Sequence, residues 1–146
     1  MIREDEFLML LNSAPVIDGV VTETLTDVGL RRLREDLRRV ILEEAEPSVL
    51  APYLTGFSKR PSIDAEGVHW TLTGPADRMP LAEIVLEWSR VTTEMPGRLR
   101  PCGNPECNKF LIDHSKPNTA RWCSMASCGN RMKARRFQAR HSGASL

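Results

Sequence analysis

Long apolar runs are missing from this sequence of 146 residues. No stretch approaches the roughly 18 apolar residues of a membrane-spanning helix, so we expect no membrane partner. The first residues, Met1–Glu6, are acidic, and the apolar run Phe7–Leu11 is too short for the centre of a secretory signal peptide. These absences predict a cytoplasmic protein, in which cysteine thiols stay reduced.

Cysteine is absent from the first 101 residues and then occurs four times, as Cys102, Cys107, Cys123 and Cys128. Four residues separate the members of each pair, and fifteen separate the pairs. Paired cysteines in a reduced compartment bind metal more often than they form disulfides. Four thiolates complete the tetrahedral shell of Zn²⁺, whereas a catalytic zinc keeps an open position. The pattern predicts one structural Zn²⁺ held by all four cysteines and no enzymatic activity.

Acidic residues are scarce in the same segment. Residues 1–97 carry 10 Lys and Arg and 17 Asp and Glu, a net charge of −7, whereas residues 98–146 carry 10 and 2, a net charge of +8. Such asymmetry favours a polyanionic partner. Lys and Arg at helical spacing neutralise phosphates. We therefore predict DNA, as a duplex, as the partner, contacted by Arg121, Arg131, Lys133, Arg135, Arg136 and Arg140.

Other interpretations of this basic segment remain open. A solvated charged face is the simplest, and an RNA- or ribosome-associated zinc module is the main functional alternative. Asp113-His114 is similar to part of some zinc-bearing nucleases, but these need a further metal-binding histidine or carboxylate where Asn130 and Arg131 stand. We expect His114 to be a solvated turn residue. A zinc module that binds only proteins would not need the charge of +8.

Local patterns predict how the cysteine segment folds. A turn at Gly103–Glu106 and a strand at Lys109–Ile112 are followed by a turn at His114–Asn118 and a partner strand at Ala120–Trp122. A helix from about Met125 to Arg140 follows, with Ser124 as its N-cap and with Met132 and Phe137 docking it. The expected plan is a treble-clef-like zinc finger. Its apolar residues are too few to fold it without metal.

The preceding residues predict a helical domain. Apolar spacing favours helices at Glu4–Asn12, from Asp27 to Ala45 and from Pro80 to Glu94. A β-hairpin is expected around Asp64–Gly67. The predicted fold class is mainly α with a small β-hairpin (α+β). Pro96-Gly97 divides the chain into a helical N-terminal domain, residues 1–96, with a sensor or dimerisation role, and a zinc finger, residues 97–146.

Surface and core positions in the N-terminal part also follow from the patterns. The Arg-rich face of the second helix is expected to be solvated, with ion pairs such as Glu35–Arg39, rather than a nucleic-acid patch. Because a lone hairpin is marginal in water, the hairpin should lie against the helices. Trp70 and Trp88 are expected in the core, beside a half-exposed His69, rather than in a ligand pocket.

The stretch Arg121–Arg131, which contains Cys128-Gly129-Asn130-Arg131, resembles the signature of the CGNR zinc-finger proteins, a bacterial group. Phe110, Asp113, Ser115, Lys133 and the first cysteine pair also match that pattern. Upstream, residues 10–12 and 33–38 resemble the helical, ABATE-type domain that precedes the finger in this family, although the segment after Asn12 departs from it.

The resemblance implies a four-cysteine zinc site in a stress-related transcription regulator. A small-molecule effector at the N-terminal domain and a homodimer are further expectations. One hypothesis concerns the interior of the finger: Asp113 pairs with Arg131 and so fixes the hairpin to the helix.

Overall fold

Within residues 1–144, which the computed structural model describes with side chains through His141, the chain forms four α-helices and three antiparallel strand pairs. The α-helices are α1 (Glu4–Leu11), α2 (Val28–Ile41), α3 (Met79–Glu94) and α4 (Asn130–Ala144). The strands are β1 (Val16–Ile17), β2 (Val20–Val21), β3 (Ser58–Asp64), β4 (Gly67–Thr73), β5 (Leu99–Pro101) and β6 (Phe110–Ile112). Two 3₁₀ helices, Pro47–Leu54 and Ala76–Arg78, precede α3. This is an α+β arrangement, as the sequence predicts.

None of these helices combines the length and the apolar character that crossing a membrane requires, within the part of the chain described. The most polar is α4, which carries five Lys and Arg residues between Arg131 and Arg140. The buried apolar side chains of α1, α2 and α3 meet one another in one cluster.

One hydrophobic core joins these three helices to the cysteine-bearing segment. Phe110 of β6 is 1% exposed and belongs to the same cluster as the helical side chains. Leu99 and Ile112 pack against that cluster from β5 and β6. The buried helical members are Phe7, Leu10, Leu11, Leu33, Leu37, Val40, Leu50, Ile84 and Val85. The segment is therefore docked on the helices through apolar burial, the main stabilising term in folding.

Three polar side chains reinforce this docking. The amide of Asn12 donates to the carbonyl of Phe110 (3.0 Å) and accepts from its N–H (2.7 Å), as a neighbouring strand would. Asn108 bonds in the same way to backbone groups of Ala14–Val16, at 2.8 and 3.0 Å. Arg38 donates to the carbonyl of Asn108 (2.7 Å) and lies 4.8 Å from the ring centroid of Phe110. These contacts fix the orientation of the segment.

The division into two domains at residue 97 stays a prediction.

The prediction that the Arg-rich face of α2 is solvated holds for the exposed Arg32 and Arg39 but was wrong for Arg34. Arg34 is 3% exposed and donates two bonds of 2.6 Å to the carboxylate of Glu23. The bond from Arg34 lowers the pKa of Glu23 to about 2. The expected Glu35–Arg39 pair is replaced by Arg34–Glu35 (2.9 Å) and Asp36–Arg39 (3.7 Å). The segment between α1 and α2 covers Arg34, which helical periodicity does not reveal.

The hairpin of β3 and β4 also departs from expectation. Its turn at Asp64–Gly67 forms as predicted, but every residue of β3 is exposed. Trp70 is 62% exposed instead of buried, while Trp88 is half-buried against the core as predicted. The hairpin therefore extends beyond the helices, with only its base close to α3.

The partner of β6 is β5, and the predicted strand at Ala120–Trp122 does not form. The backbone groups that such a strand would use have other partners. The N–H of Ala120 donates to the carboxylate of Asp113 (2.8 Å), and its carbonyl accepts from Arg100 (2.7 Å). The first cysteine pair thus lies in the connection between β5 and β6.

Candidate metal centre and basic helix

Four cysteine sulfurs converge at the junction between the β5–β6 connection and the start of α4. Cys102 and Cys107 flank the turn after β5, Cys123 precedes the helical region, and Cys128 lies in a single π-helical turn, Met125–Gly129, that leads into α4. All four sulfurs lie within 4.8 Å of one another. The sequence prediction that these cysteines come together is confirmed by this geometry.

The sulfur separations fit a tetrahedral zinc site. The Sγ atoms of Cys107 and Cys123 are 3.8 Å apart, and those of Cys123 and Cys128 are 3.6 Å apart. Sulfurs at the corners of a tetrahedron with Zn–S bonds of roughly 2.3 Å are about 3.8 Å apart. A disulfide would require about 2.05 Å, and all four thiols are free. The donor set and its spacing therefore suit Zn²⁺.

Hydrogen bonds to three of the sulfurs hold them in place. The backbone N–H of Cys123 donates to Cys102 Sγ (3.2 Å), and that of Lys109 donates to Cys107 Sγ (3.5 Å). The side-chain amide of Asn104, 1% exposed, donates to Cys128 Sγ (3.5 Å). Such donors stabilise thiolate ligands and orient them. The sequence predicts only a turn at Asn104, because the neighbouring residues do not identify a bond to a sulfur 24 positions away.

Burial and hydrogen bonding shift the pKa values of the cysteine thiols in opposite directions. Burial raises the pKa values of the Cys107 and Cys123 thiols. Burial acts in the same direction on Cys128, but hydrogen bonds from Asn104 and the neighbouring thiols outweigh it and lower that pKa to about 7. Since thiolates are the ligands, zinc binding must release protons, and acid must release the metal.

The start of the helical region explains the residues around Cys128. The hydroxyl of Ser124 accepts from the N–H of Ser127 (3.2 Å), which confirms the predicted N-cap. The next residue after Cys128, Gly129, packs directly on its neighbours: a Cβ there would lie 2.6 Å from Met125 Sδ and 3.2 Å from the Trp122 ring. A side chain at position 129 would therefore force the Met125 side chain to move and the Trp122 ring to shift slightly.

Comparison with known families decides the assignment of this segment. Residues 98–141 match the family model described as CGNR zinc finger. The C-terminal segment is a CGNR zinc finger. No curated protein matches the chain. Residues Cys128-Gly129-Asn130-Arg131 form the tetrapeptide CGNR. This tetrapeptide supplies the last cysteine of the cluster and the closely packed Gly129.

A second polar centre closes the loop of the CGNR finger around Asp113, whose side chain is 1% exposed. Its carboxylate accepts from the N–H (2.8 Å) and hydroxyl (2.6 Å) of Ser115, from the N–H of Ala120 (2.8 Å) and from Arg100 (2.5 Å). These bonds, led by the Ser115 hydroxyl, hold the pKa of Asp113 well below its usual range. The hypothesis that Asp113 pairs with Arg131 was wrong, because Arg100 on β5 occupies that place and Arg131 is exposed.

Replacing Asp113 by Asn is expected to destabilise the finger. Asn keeps the shape but puts an NH₂ group where the carboxylate accepts bonds, and it leaves the Arg100 guanidinium without its anion. We expect the Tm of the zinc-loaded chain, measured by circular dichroism, to fall by about 5–10 °C. The matched control is Asp18→Asn, on an exposed turn at φ 50°, a conformation that Asn tolerates. Equal Tm values for the two variants would contradict this role.

His114 lies beside this loop and is exposed, as predicted. Its Nε2 contacts the carboxylate of Glu4 on α1. Among the residues described, His114 does not belong to the group of candidate metal ligands that the four cysteines form.

The basic helix α4 leaves the metal centre and is exposed over its described surface from Lys133 to His141. Arg131, Lys133, Arg136 and Arg140 are all exposed, as is Arg121 before the helix. The guanidinium carbons of Arg121 and Arg136 lie 5.1 and 6.0 Å from the ring centroid of Trp122. A groove of about 690 Å³ separates the β1–β2 turn from the Arg131 side of α4.

Two side chains of α4 differ from expectation. Met132 is half-buried as predicted, but Phe137 is 57% exposed and stacks on His141, with ring centroids 3.9 Å apart. Phe137 lies five residues after Met132, which places it about 140° around the helix from the docked side. Arg135 forms an exposed 2.5 Å ion pair with Glu106 of the zinc knuckle. Sequence spacing alone did not show which side of α4 meets the finger.

Proposed function

We propose that this chain is a zinc-dependent DNA-binding protein and a transcription regulator, in which the CGNR finger contacts duplex DNA through α4. The observation that carries the proposal is a cationic helix exposed on all sides beyond Met132 and anchored at its base by the four-cysteine cluster. Zinc has a structural role in this proposal, since four thiolates fill its shell. The treble-clef-like plan, in which the helix carries the last ligand, belongs to the same proposal.

The dimensions of the helix suit the major groove. An α-helix with its side chains is about 10–12 Å across, and the major groove is about 12 Å wide and 8.5 Å deep. Lys133, Arg136 and Arg140 lie on one flank of α4, and Arg131 lies on the other, on the basis of 3.6 residues per turn. A helix inserted in the groove would therefore meet phosphates along both of its walls. Arg135, paired with Glu106, is the least available of the predicted contacts.

Phe137 occupies the outward-facing edge between these flanks. More than half of the Phe137 side chain is exposed beside its contact with His141, so the ring can meet an apolar surface of a partner. In the major groove that surface is the thymine C5-methyl group, which apolar side chains contact. We propose that Phe137 faces the base edges and favours thymine while the flanking cations contact phosphates.

The test of Phe137 combines a substitution with a change in the DNA. Phe137→Ala should weaken binding to the preferred duplex about 10-fold, and replacing the contacted thymine by deoxyuracil should weaken the unsubstituted protein by a similar factor. The two losses should not add, because they remove one contact. Ala134→Gly, at an exposed position of the same helix, controls for loss of helicity. Additive losses in fluorescence-anisotropy titrations would contradict the contact.

RNA binding is the second candidate, and one observation favours it. The stacked pair of Phe137 and His141 offers an exposed aromatic surface on which unpaired bases stack. Duplex RNA is disfavoured, because its deep, narrow major groove excludes a helix.

Selection of bound sequences from randomised duplex DNA tests the proposal. The zinc-loaded chain is the bait, and single-stranded RNA is the competitor. We expect enrichment of a short motif that contains thymine and resists the RNA. No enrichment, or complete displacement by RNA, would contradict DNA binding and favour the RNA candidate. The ABATE-type assignment of the helices and a small-molecule effector there stay predictions.

A further inference from the structure

The hairpin of β3 and β4 has one apolar and one polar face. Cross-strand partners in an antiparallel pair share a face, and successive pairs alternate. One face carries the pairs Ile63–Val68, Pro61–Trp70 and Lys59–Leu72, and the other carries Ser62–His69, Arg60–Thr71 and Ser58–Thr73. Alternation of this kind is typical of strands that cover a core on one side.

That apolar face is largely uncovered in the single chain. Ile63, Val68 and Trp70 are 79%, 59% and 62% exposed. Lys59, Trp70 and Leu72 of this face line an open cavity of about 470 Å³ together with side chains of α3. Isolated two-stranded hairpins are marginal in water, and exposed apolar patches rimmed by polar residues mark interaction sites. The face therefore calls for a partner.

The charges on the hairpin are arranged to suit a second copy. Lys59 lies on the apolar face near the base, whereas Glu66 lies in the turn at the tip; Arg60 and Asp64 belong to the polar face. The two ends are about 20 Å apart, given roughly 3.3 Å per strand residue. When two copies pair antiparallel about a two-fold axis, each acidic tip meets the basic base of the other. A parallel arrangement would bring like charges together.

We propose that two copies of this chain associate through the apolar faces of their β3–β4 hairpins, around a two-fold axis near Trp70. Ile63 and Val68 of each copy then pack beside Trp70 of the other, and Lys59 approaches Glu66 of the other at both ends. The hairpin lies between α2 and α3 in the chain, apart from α4. A dimer formed through it therefore contains two copies of the basic helix α4. This inference does not depend on what those helices bind.

The available area sets the strength of association. The three apolar side chains offer about 400 Å² per copy, roughly half of the 800 Å² per partner in a standard stable interface. The dimer is therefore weak, with a dissociation constant of about 10 µM. Two adjacent DNA sites would strengthen it through effective concentration.

Charge exchange between copies tests the two-fold pairing. Sedimentation equilibrium of the zinc-loaded chain should show a reversible monomer–dimer equilibrium. Lys59→Glu alone and Glu66→Lys alone should each weaken self-association by about 5-fold or more, since each places like charges at both ends. An equimolar mixture of the two single variants should restore dimerisation, because every Lys59–Glu66 contact regains opposite charges.

Two further variants locate the surface. Trp70→Ser should abolish the dimer seen by sedimentation equilibrium and leave the Tm of the helical core unchanged. Ser62→Glu, on the polar face, should leave dimerisation intact. Monomers throughout at 1 mM, about a hundred times the expected dissociation constant, would overturn the proposal. So would dimers that survive Trp70→Ser, or single variants that do not restore one another on mixing.

Discussion

Replacing Cys123 by Ser is expected to remove zinc from the CGNR finger and to unfold it. The Cys123 sulfur lies 3.8 Å from that of Cys107 and 3.6 Å from that of Cys128. Its replacement therefore removes one of the four ligands of the tetrahedral site. Zinc contributes about 10–16 kcal/mol to the folding of comparable small fingers. We expect the zinc content by mass spectrometry under native conditions to fall from one ion per chain towards zero.

Ala126→Ser is the matched control for this substitution. It adds a hydroxyl at an exposed position of the same turn without touching a ligand. Hydrogen exchange should show loss of protection in β6 and α4 for the cysteine variant but not for the control. Helices α1 to α3 should stay folded with lower stability, because Phe110 leaves their core. A cysteine variant that keeps one zinc and full protection would contradict the assignment of the metal centre.

Neutralising one flank of α4 is expected to weaken DNA binding strongly. In Lys133→Gln/Arg140→Gln two exposed cations are lost while the metal centre and the contact of Arg136 with Trp122 are kept. Each phosphate contact contributes about −0.9 to the slope of log K against log salt, so the slope should become less negative by about 1.8. At 0.1 M salt the affinity should fall about 50-fold.

The control carries the same change of charge on another helix. Arg32→Gln/Arg39→Gln removes two exposed cations from α2, whose basic face was the alternative nucleic-acid surface. Anisotropy titrations across a range of salt concentrations should give this variant the slope of the unsubstituted chain. If both double variants lose affinity equally, binding is a response to net charge and α4 has no special part in it.

What the sequence predicted well depended on local chemistry. Helices α1 to α3 follow from apolar periodicity, and the cap at Ser124 follows from the residues at a helix start. The metal centre is the clearest case: few roles other than a shared metal account for four paired cysteines in a reduced segment of about 45 residues. The CGNR resemblance and the geometry of the sulfurs agree.

What failed depended on which segments meet. Arg34 looks like a surface residue on α2, but Glu23 and the segment before α2 enclose it. The chemistry of residues 120–122 suits a strand, yet the Asp113 carboxylate takes the N–H of Ala120. Phe137 has an apolar side chain at helical spacing, but α4 extends past the surface on which it could dock. Each of these predictions failed because a long-range contact forms, or does not form, and the periodicity of the sequence does not reveal such contacts.

The structural roles of some residues that hold the site together are not visible in the sequence. Asn12 and Asn108 join the finger to the helices by imitating strand hydrogen bonds, and Asn104 bonds a metal ligand. Asparagine in a loop ordinarily indicates a turn. Only the assembled chain shows that these three amides are structural.

Direct titration of duplex DNA tests the central claim, that zinc-held α4 binds DNA through its cations. A labelled 20-base-pair duplex is titrated with the full chain between about 50 and 200 mM salt, with zinc bound and after chelation. Contacts from Arg121, Arg131, Lys133, Arg136 and Arg140 predict a log–log slope near −4.5 for the zinc-bound chain. Chelation should remove most of the binding. Equal binding with and without zinc, or a slope close to zero, would contradict the account.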